Sequence, residues 1–165
     1  MLGERMGRVI VILLLLIVIA GGALYIFGPR VPTDTSITFN SGAIGADPAA
    51  YLQTKESTVA GIRAGLAKEI VWAYPQSRAK TPLAIVYIHG FSASKGEIRP
   101  VPDKVAAALG ANLYYTRLTG HGQDNDAMGT ATVNAWPNAT AVALAIGRTI
   151  GEKVIVIATS TGGSL

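Results

Sequence analysis

Val154-Ile155-Val156-Ile157-Ala158-Thr159-Ser160-Thr161-Gly162-Gly163 is an unbroken apolar run that passes directly into a turn of small residues. Five apolar residues without polar alternation fit a strand covered on both faces, as in a parallel sheet. The turn is the part that carries chemistry. A serine used as a nucleophile stands on a sharp strand-to-helix bend, which crowds the positions two before and two after it, so both must be small. Ala158 and Gly162 occupy those positions around Ser160. The usual first residue is glycine, and alanine is the mildest departure from it. A helix starting just after Ser160 would aim its free N–H groups at the serine, where negative charge develops in acyl transfer. Taken alone, the segment also reads as a plain Ser/Gly-rich turn.

Two similar units precede it. Leu83-Ala84-Ile85-Val86-Tyr87-Ile88 is a second continuous apolar run, followed by His89-Gly90-Phe91-Ser92. A helix is expected from Val101 or Pro102 to Leu109, and then Asn112-Leu113-Tyr114-Tyr115-Thr116 as the next strand, followed by Arg117-Leu118-Thr119-Gly120-His121-Gly122. A longer loop leads to a second helix ending near Ile150, with Gly151 as its stop signal. Strands alternating with helices imply a parallel sheet, and function gathers at the carboxyl ends of such strands. Upstream, Ile70–Tyr74 has strand composition and Pro75 ends it, while Gln76 to Pro82 reads as a polar turn. Asp47-Pro48 reads as a helix start, Asp capping and Pro at the first helical position, with the helix running to about Glu56.

The three turns suggest roles. Gly90 lets the backbone approach a reacting carbonyl, and the Phe91 N–H would join the Thr161 N–H as an oxyanion hole beside Ser160. His89 stands before the loop glycine, a position better suited to ordering the loop than to general-base work. His121, between two glycines, reads as a structural histidine in a tight turn. Asp124, Asn125 and Asp126 lack the ligand spacing of a calcium loop, and no metal or cofactor is expected. Asn138-Ala139-Thr140 matches a glycosylation acceptor but falls on or beside a helix.

Composition narrows the function classes. The chain has 165 residues, 50% hydrophobic and 15% charged, with a net charge of +4 and no cysteine. A disordered polyelectrolyte is excluded, as are disulfides, thiolate catalysis and zinc-thiolate sites. Lys and Arg form no dense run, so a nucleic-acid partner has no footprint here. Much of the apolar excess lies between Val9 and Phe27, which contain no charged residue. Those residues would span about 28 Å as a helix, close to the hydrocarbon thickness of a bilayer. A cleaved signal peptide, with Ala20-Gly21-Gly22-Ala23 at the cleavage site, competes with an uncleaved anchor. Leu24-Tyr25-Ile26-Phe27 carries the apolar run past the small residues and favours the anchor. Arg5 and Arg8 before the segment, against Arg30 after it, place the N-terminus in the cytoplasm and the main domain outside. The expected organisation is a cytoplasmic N-terminus (1–8), a membrane anchor (9–27), a linker (28–48) and an α/β domain (49–165).

Together, Tyr87-Ile88-His89-Gly90-Phe91-Ser92, Arg117-Leu118-Thr119-Gly120-His121-Gly122 and Ala158-Thr159-Ser160-Thr161-Gly162-Gly163 resemble the α/β-hydrolase family, closest to its lysophospholipase-like and serine-aminopeptidase-like branches. The resemblance runs from about Ile70 to Leu165. It implies a mostly parallel sheet with helices on both faces, with the Leu83–Ile88 strand between the other two. It also implies Ser160 as nucleophile, Phe91 and Thr161 N–H groups as oxyanion donors, no cofactor, and a small ester or acyl substrate. The family places its acid and its histidine after the serine. Only Thr161 to Leu165 follow Ser160 here, so the chain is expected to be an incomplete copy, inactive as given. An acyltransferase on the same scaffold, or a non-catalytic membrane-tethered binding domain, are the other readings.

Overall fold

The computed structural model describes residues 2–165. The chain divides into two compact units, one ending at Pro32 and one spanning Thr33–Leu165.

The first unit is a single helix, α1 (Leu2–Phe27). Its stretch Arg5–Phe27 has a mean hydropathy of 3.1, and none of it is buried. This helix is long and apolar enough to cross a membrane. Its C-terminal end is held by Arg30, whose guanidinium donates to the Tyr25 carbonyl at 2.5 Å and lies over the Tyr25 ring. A cation there complements the negative end of the helix dipole.

The second unit is a four-stranded mixed sheet with helices on both faces. Its strands are β1 (Glu69–Val71), β2 (Thr81–Ile88), β3 (Asn112–Tyr115) and β4 (Gly151–Ala158), in the spatial order β1-β3-β2-β4. β2 pairs in parallel with both β3 and β4, and β1 adds antiparallel to the outer edge of β3. The Leu83–Ile88 strand therefore lies between the other two parallel strands, as expected. Alternation along β2 divides the core. Ala84, Val86 and Ile88 face a cluster with Ile146 and Ile150 of α5 (Ala135–Ile150), whereas Ile85 and Tyr87 face Ala106 of α3 (Val101–Leu109). The residues Ala84–Ile88 are all buried, which is why the run shows no polar alternation.

Several local expectations hold. In α2 (Pro48–Ser57), Asp47 accepts from the Ala49 and Ala50 amides at 2.9 and 3.0 Å, a cap that stabilises a helix by about 1 kcal/mol. α3 has the expected bounds and ends on Gly110 in the left-handed region. The long loop before α5 also contains a short helix, α4 (Asn125–Gly129), capped by the Asp124 carboxylate.

Gly151 differs from expectation. It is not a left-handed helix stop but the first residue of β4, with φ −146° and ψ 156°. A Cβ on it would lie 2.5 Å from the Ala84 Cβ, so glycine is there to let two strands approach. β4 thus begins three residues before the apolar run, and as the outer strand of the sheet it is not covered on both faces as expected: Ile155 and Val156 are 41% and 44% exposed. Likewise β2 starts at Thr81, inside the segment read as a turn. β1 is shorter than its composition suggested. Beyond Val71 the Asn112 side chain replaces the ladder, accepting the Ala73 amide at 2.9 Å while its own amide donates to Ala79 and Ile150 carbonyls.

The segment between Ser36 and Ile44 packs with the α/β unit. Asn138 of α5 accepts the Thr38 and Phe39 amides at 2.9 Å each and donates to Ser36 and Asn134 carbonyls. Its amide is thus engaged in the fold rather than presented as a glycan acceptor.

Candidate functional site

Parallel pairing carries the ends of β2 and β4 to the same place, with Ile88 opposite Ala158. The Thr159 amide then donates to the Ile88 carbonyl at 3.0 Å, extending the ladder by one residue. After it the chain bends sharply. Ser160 has φ +47°, in the left-handed region that disfavours side chains with a Cβ. Ser160–Gly163 then form one 3-10 turn. The hydroxyl-bearing residue stands exposed on top of this bend.

The small residues flanking the bend have a steric cause. A Cβ on Gly162 would collide with the Ile88 carbonyl oxygen and lie 2.7 Å from that of His89. A Cβ on Gly90 would lie 3.5 Å from the Ser160 Cβ and 3.4 Å from the Thr159 carbonyl oxygen. The turns after β2 and β4 therefore interlock: Gly162 must be glycine where it meets the β2 turn, and Gly90 lies in van der Waals contact with the β4 turn.

Ser160, Phe91 and Thr161, singled out in the sequence, come together on these two turns. Among the described residues neither the Phe91 N–H nor the Thr161 N–H donates to a protein acceptor. Unpaired backbone N–H groups of this kind, one in a turn and one in a 3-10 turn, are ready hydrogen-bond donors. The peptide that bears the Phe91 N–H is held from behind, because the Gly90 carbonyl faces His89 Nδ1 at 2.9 Å and accepts the Ala93 amide at 3.3 Å.

The histidines are both committed to backbone. His89 Nε2 accepts the Leu118 amide at 3.1 Å and His121 Nε2 accepts the Ser92 amide at 3.0 Å. Their Nδ1 atoms face the Gly90 and Thr119 carbonyls at 2.9 and 3.2 Å. Each ring must be neutral with its proton on Nδ1 for both bonds to form. Burial, the main cause, pushes both imidazoles below their ordinary value. With both nitrogens engaged, neither ring is free to accept a proton from Ser160. The pair ties the β2 turn to the β3 turn, their rings 4.8 Å apart, and Phe91 and Trp136 stack edge-on against His121.

Three further residues at the site were not singled out in the sequence. Glu97 accepts the Gly90 amide at 2.9 Å and the Tyr87 hydroxyl at 2.8 Å, and that hydroxyl lies 3.2 Å from Thr159 Oγ1. Burial raises the Tyr87 hydroxyl to about 12. For Glu97, the amide and hydroxyl bonds outweigh burial and hold the carboxyl below its ordinary range. Trp136 donates its indole N–H to the Thr119 carbonyl at 3.0 Å, closing the aromatic group around His121. Tyr87 was quoted only as part of a motif and Glu97 and Trp136 not at all, because Glu97, in the loop before α3, and Trp136, in α5, meet the site only through tertiary packing. Among the described residues no cluster of three His, Cys, Asp or Glu side chains is placed to hold a metal.

Compared with known protein families and with curated proteins, the chain matches none.

Proposed function

We propose that this chain carries the nucleophile and oxyanion turns of a serine hydrolase of the α/β-hydrolase type, held to a membrane by α1. The observation that carries the reading is Ser160 at φ +47° on the bend after a parallel strand, interlocked with the Gly90 turn. Strain at a non-glycine residue is tolerated where the surroundings over-determine it, and such positions gather at active sites. On this reading Ser160 Oγ attacks a carboxylic ester, its proton passes to a base, and the alkoxide collapses to release the alcohol and leave an acyl-enzyme. The Phe91 and Thr161 N–H groups hold the oxyanion that forms at the ester carbonyl. Water then attacks the acyl-enzyme and releases the acid.

On this reading neither His89 nor His121 is the base. His89 and His121 have both ring nitrogens occupied, and the resemblance places the histidine and acid after the serine. The membrane placement is supported by the length and apolarity of α1, and the exported orientation by Arg5 and Arg8 ahead of it.

The test is labelling with a fluorophosphonate, which phosphonylates a serine only when a base activates it. Protein expressed from its own gene should be labelled at Ser160, and Ser160→Ala should abolish the label. Labelling at another residue, with Ser160→Ala unchanged, would overturn the reading.

A further inference from the structure

The oxyanion turn and the nucleophile bend are joined by more than steric fit. One carboxylate oxygen, Glu97 Oε2, accepts both the Gly90 amide at 2.9 Å and the Tyr87 hydroxyl at 2.8 Å. The Tyr87 hydroxyl is in turn 3.2 Å from Thr159 Oγ1. Gly90 immediately precedes the donor Phe91, and Thr159 immediately precedes the nucleophile Ser160. The second carboxylate oxygen, Oε1, lies 3.1 Å from where a Cβ on Gly90 would be, a point itself 3.5 Å from the Ser160 Cβ. The carboxylate therefore sits at the junction of the two turns.

Tyr87 is fully buried in β2 and packed edge-on against Tyr115 of β3, with ring centroids 5.7 Å apart. Its hydroxyl is thus a fixed point of the sheet, and Glu97 transfers that fixity to a loop. The loop needs it. Ser92 stands at φ +57° within the same turn, and Phe91 is 60% exposed. The Gly90 carbonyl is held from one side by His89 Nδ1 and Ala93. Without Glu97, the Gly90 amide on the other side would lose its protein partner and the turn could rotate about the Gly90 backbone.

We propose that Glu97 is a positioning residue of the site, which fixes the direction of the Phe91 N–H by bonding the Gly90 amide to Tyr87 and thereby to the Thr159–Ser160 bend. It touches neither the ester nor the serine hydroxyl, and its effect is exerted through the oxyanion donor. The proposal rests on the serine-hydrolase reading above. It gives a purpose to a charge that simple electrostatics would disfavour, since a carboxylate near a developing oxyanion is repulsive. The carboxylate is spent on the Gly90 amide and the Tyr87 hydroxyl, and the geometry gained outweighs the repulsion.

The experiment measures ester turnover by the protein expressed from its own gene, in wild type, Glu97→Ala, Glu97→Gln, Tyr87→Phe and Ser160→Ala. An oxyanion donor acts in the transition state, and a displacement of about 1 Å can cost about 100-fold. Glu97→Ala should therefore lower kcat about 10- to 100-fold and leave KM within about twofold, since an oxyanion donor adds little to ground-state binding. Glu97→Gln should recover most of the loss, because an amide oxygen in the same place can accept both bonds without the charge. Tyr87→Phe should fall between them. Inactive Ser160→Ala with wild-type kcat in Glu97→Ala would overturn the positioning role while leaving the hydrolase reading intact. Active Ser160→Ala would overturn both. A second measurement is independent of turnover and uses the 165-residue chain in detergent micelles. The Gly90 amide should exchange with solvent about tenfold faster in Glu97→Ala than in wild type, because it loses its acceptor. Equal exchange would refute the proposal, whatever the enzyme does.

Discussion

If the bend at Ser160 is strained for the sake of its hydroxyl, glycine there should stabilise the fold. Ser160 has φ +47°, and an L-residue in the left-handed region is disfavoured by about 1–2 kcal/mol. Glycine removes that penalty but gains freedom in the unfolded chain, which offsets about 0.4–1 kcal/mol. The net expectation is that Ser160→Gly is about 0–1.6 kcal/mol more stable than Ser160→Ala, centred on ~0.8 kcal/mol. Alanine keeps the Cβ and the strain, so Ser160→Ala should match wild type closely. For a chain of this size, each kcal/mol shifts the melting temperature by about 2–4 °C. The assay is urea and thermal unfolding in detergent micelles, followed by the fluorescence of Trp72 and Trp136, both half-buried in the α/β unit. Ser164, at φ −97°, provides the control. There glycine relieves nothing and should be neutral or destabilising. A Ser160→Gly variant no more stable than Ser160→Ala would show that the bend is unstrained and would remove the main support for a nucleophile at this position.

Gly162→Ala places a methyl group against the His89 carbonyl oxygen at 2.7 Å. It should destabilise by about 1–3 kcal/mol, as overpacking does, and an unchanged urea midpoint would contradict the interlocked turns. Acid should weaken the fold in two windows. His89 and His121 are held below 6.5 chiefly by burial, so the unfolded chain binds more protons than the native one just under that value. Their contribution is complete above 6.5 and is lost as pH falls. Glu56 is held below its ordinary 4.5 because hydrogen bonds from Arg117 and Lys68 outweigh burial, and its contribution disappears only as pH falls below 4.5. A urea midpoint flat between pH ~7.5 and ~5 would refute the histidine part. Glu56→Ala leaves Arg117, which is 5% exposed, without its carboxylate partner at 2.9 Å, and should destabilise by about 3–5 kcal/mol as broken buried pairs do. This can be read by the same titration. Finally, protein extracted from membranes should retain the whole Val9–Phe27 segment. A mature N-terminus near Leu24 on sequencing would convert the anchor into a cleaved signal peptide.

The sequence by itself determined the parallel strands, the two covering helices and the long apolar N-terminal helix. These features depend on hydrophobic period and on end signals such as Asp47-Pro48, which are local. It also marked Ser160, Gly162 and Gly90, because a tight turn restricts residue size within a few positions. The tertiary structure decided what depends on neighbours distant in the chain. Gly151 looked like a helix stop, but its absent side chain makes room for Ala84, on a strand more than sixty residues earlier. The short β1 ends where the Asn112 side chain takes over the ladder, and its antiparallel pairing with β3 appears only in the tertiary structure. His89 and His121 read from the sequence as turn-ordering residues, and the tertiary structure supplied the partners, the Leu118 and Ser92 amides on their Nε2 atoms. Glu97 was invisible for the same reason. A carboxylate among Ser, Lys and Gly carries no local pattern, and it acquires a role only when the sheet brings Gly90, Tyr87 and Thr159 within reach of one oxygen or its hydroxyl partner.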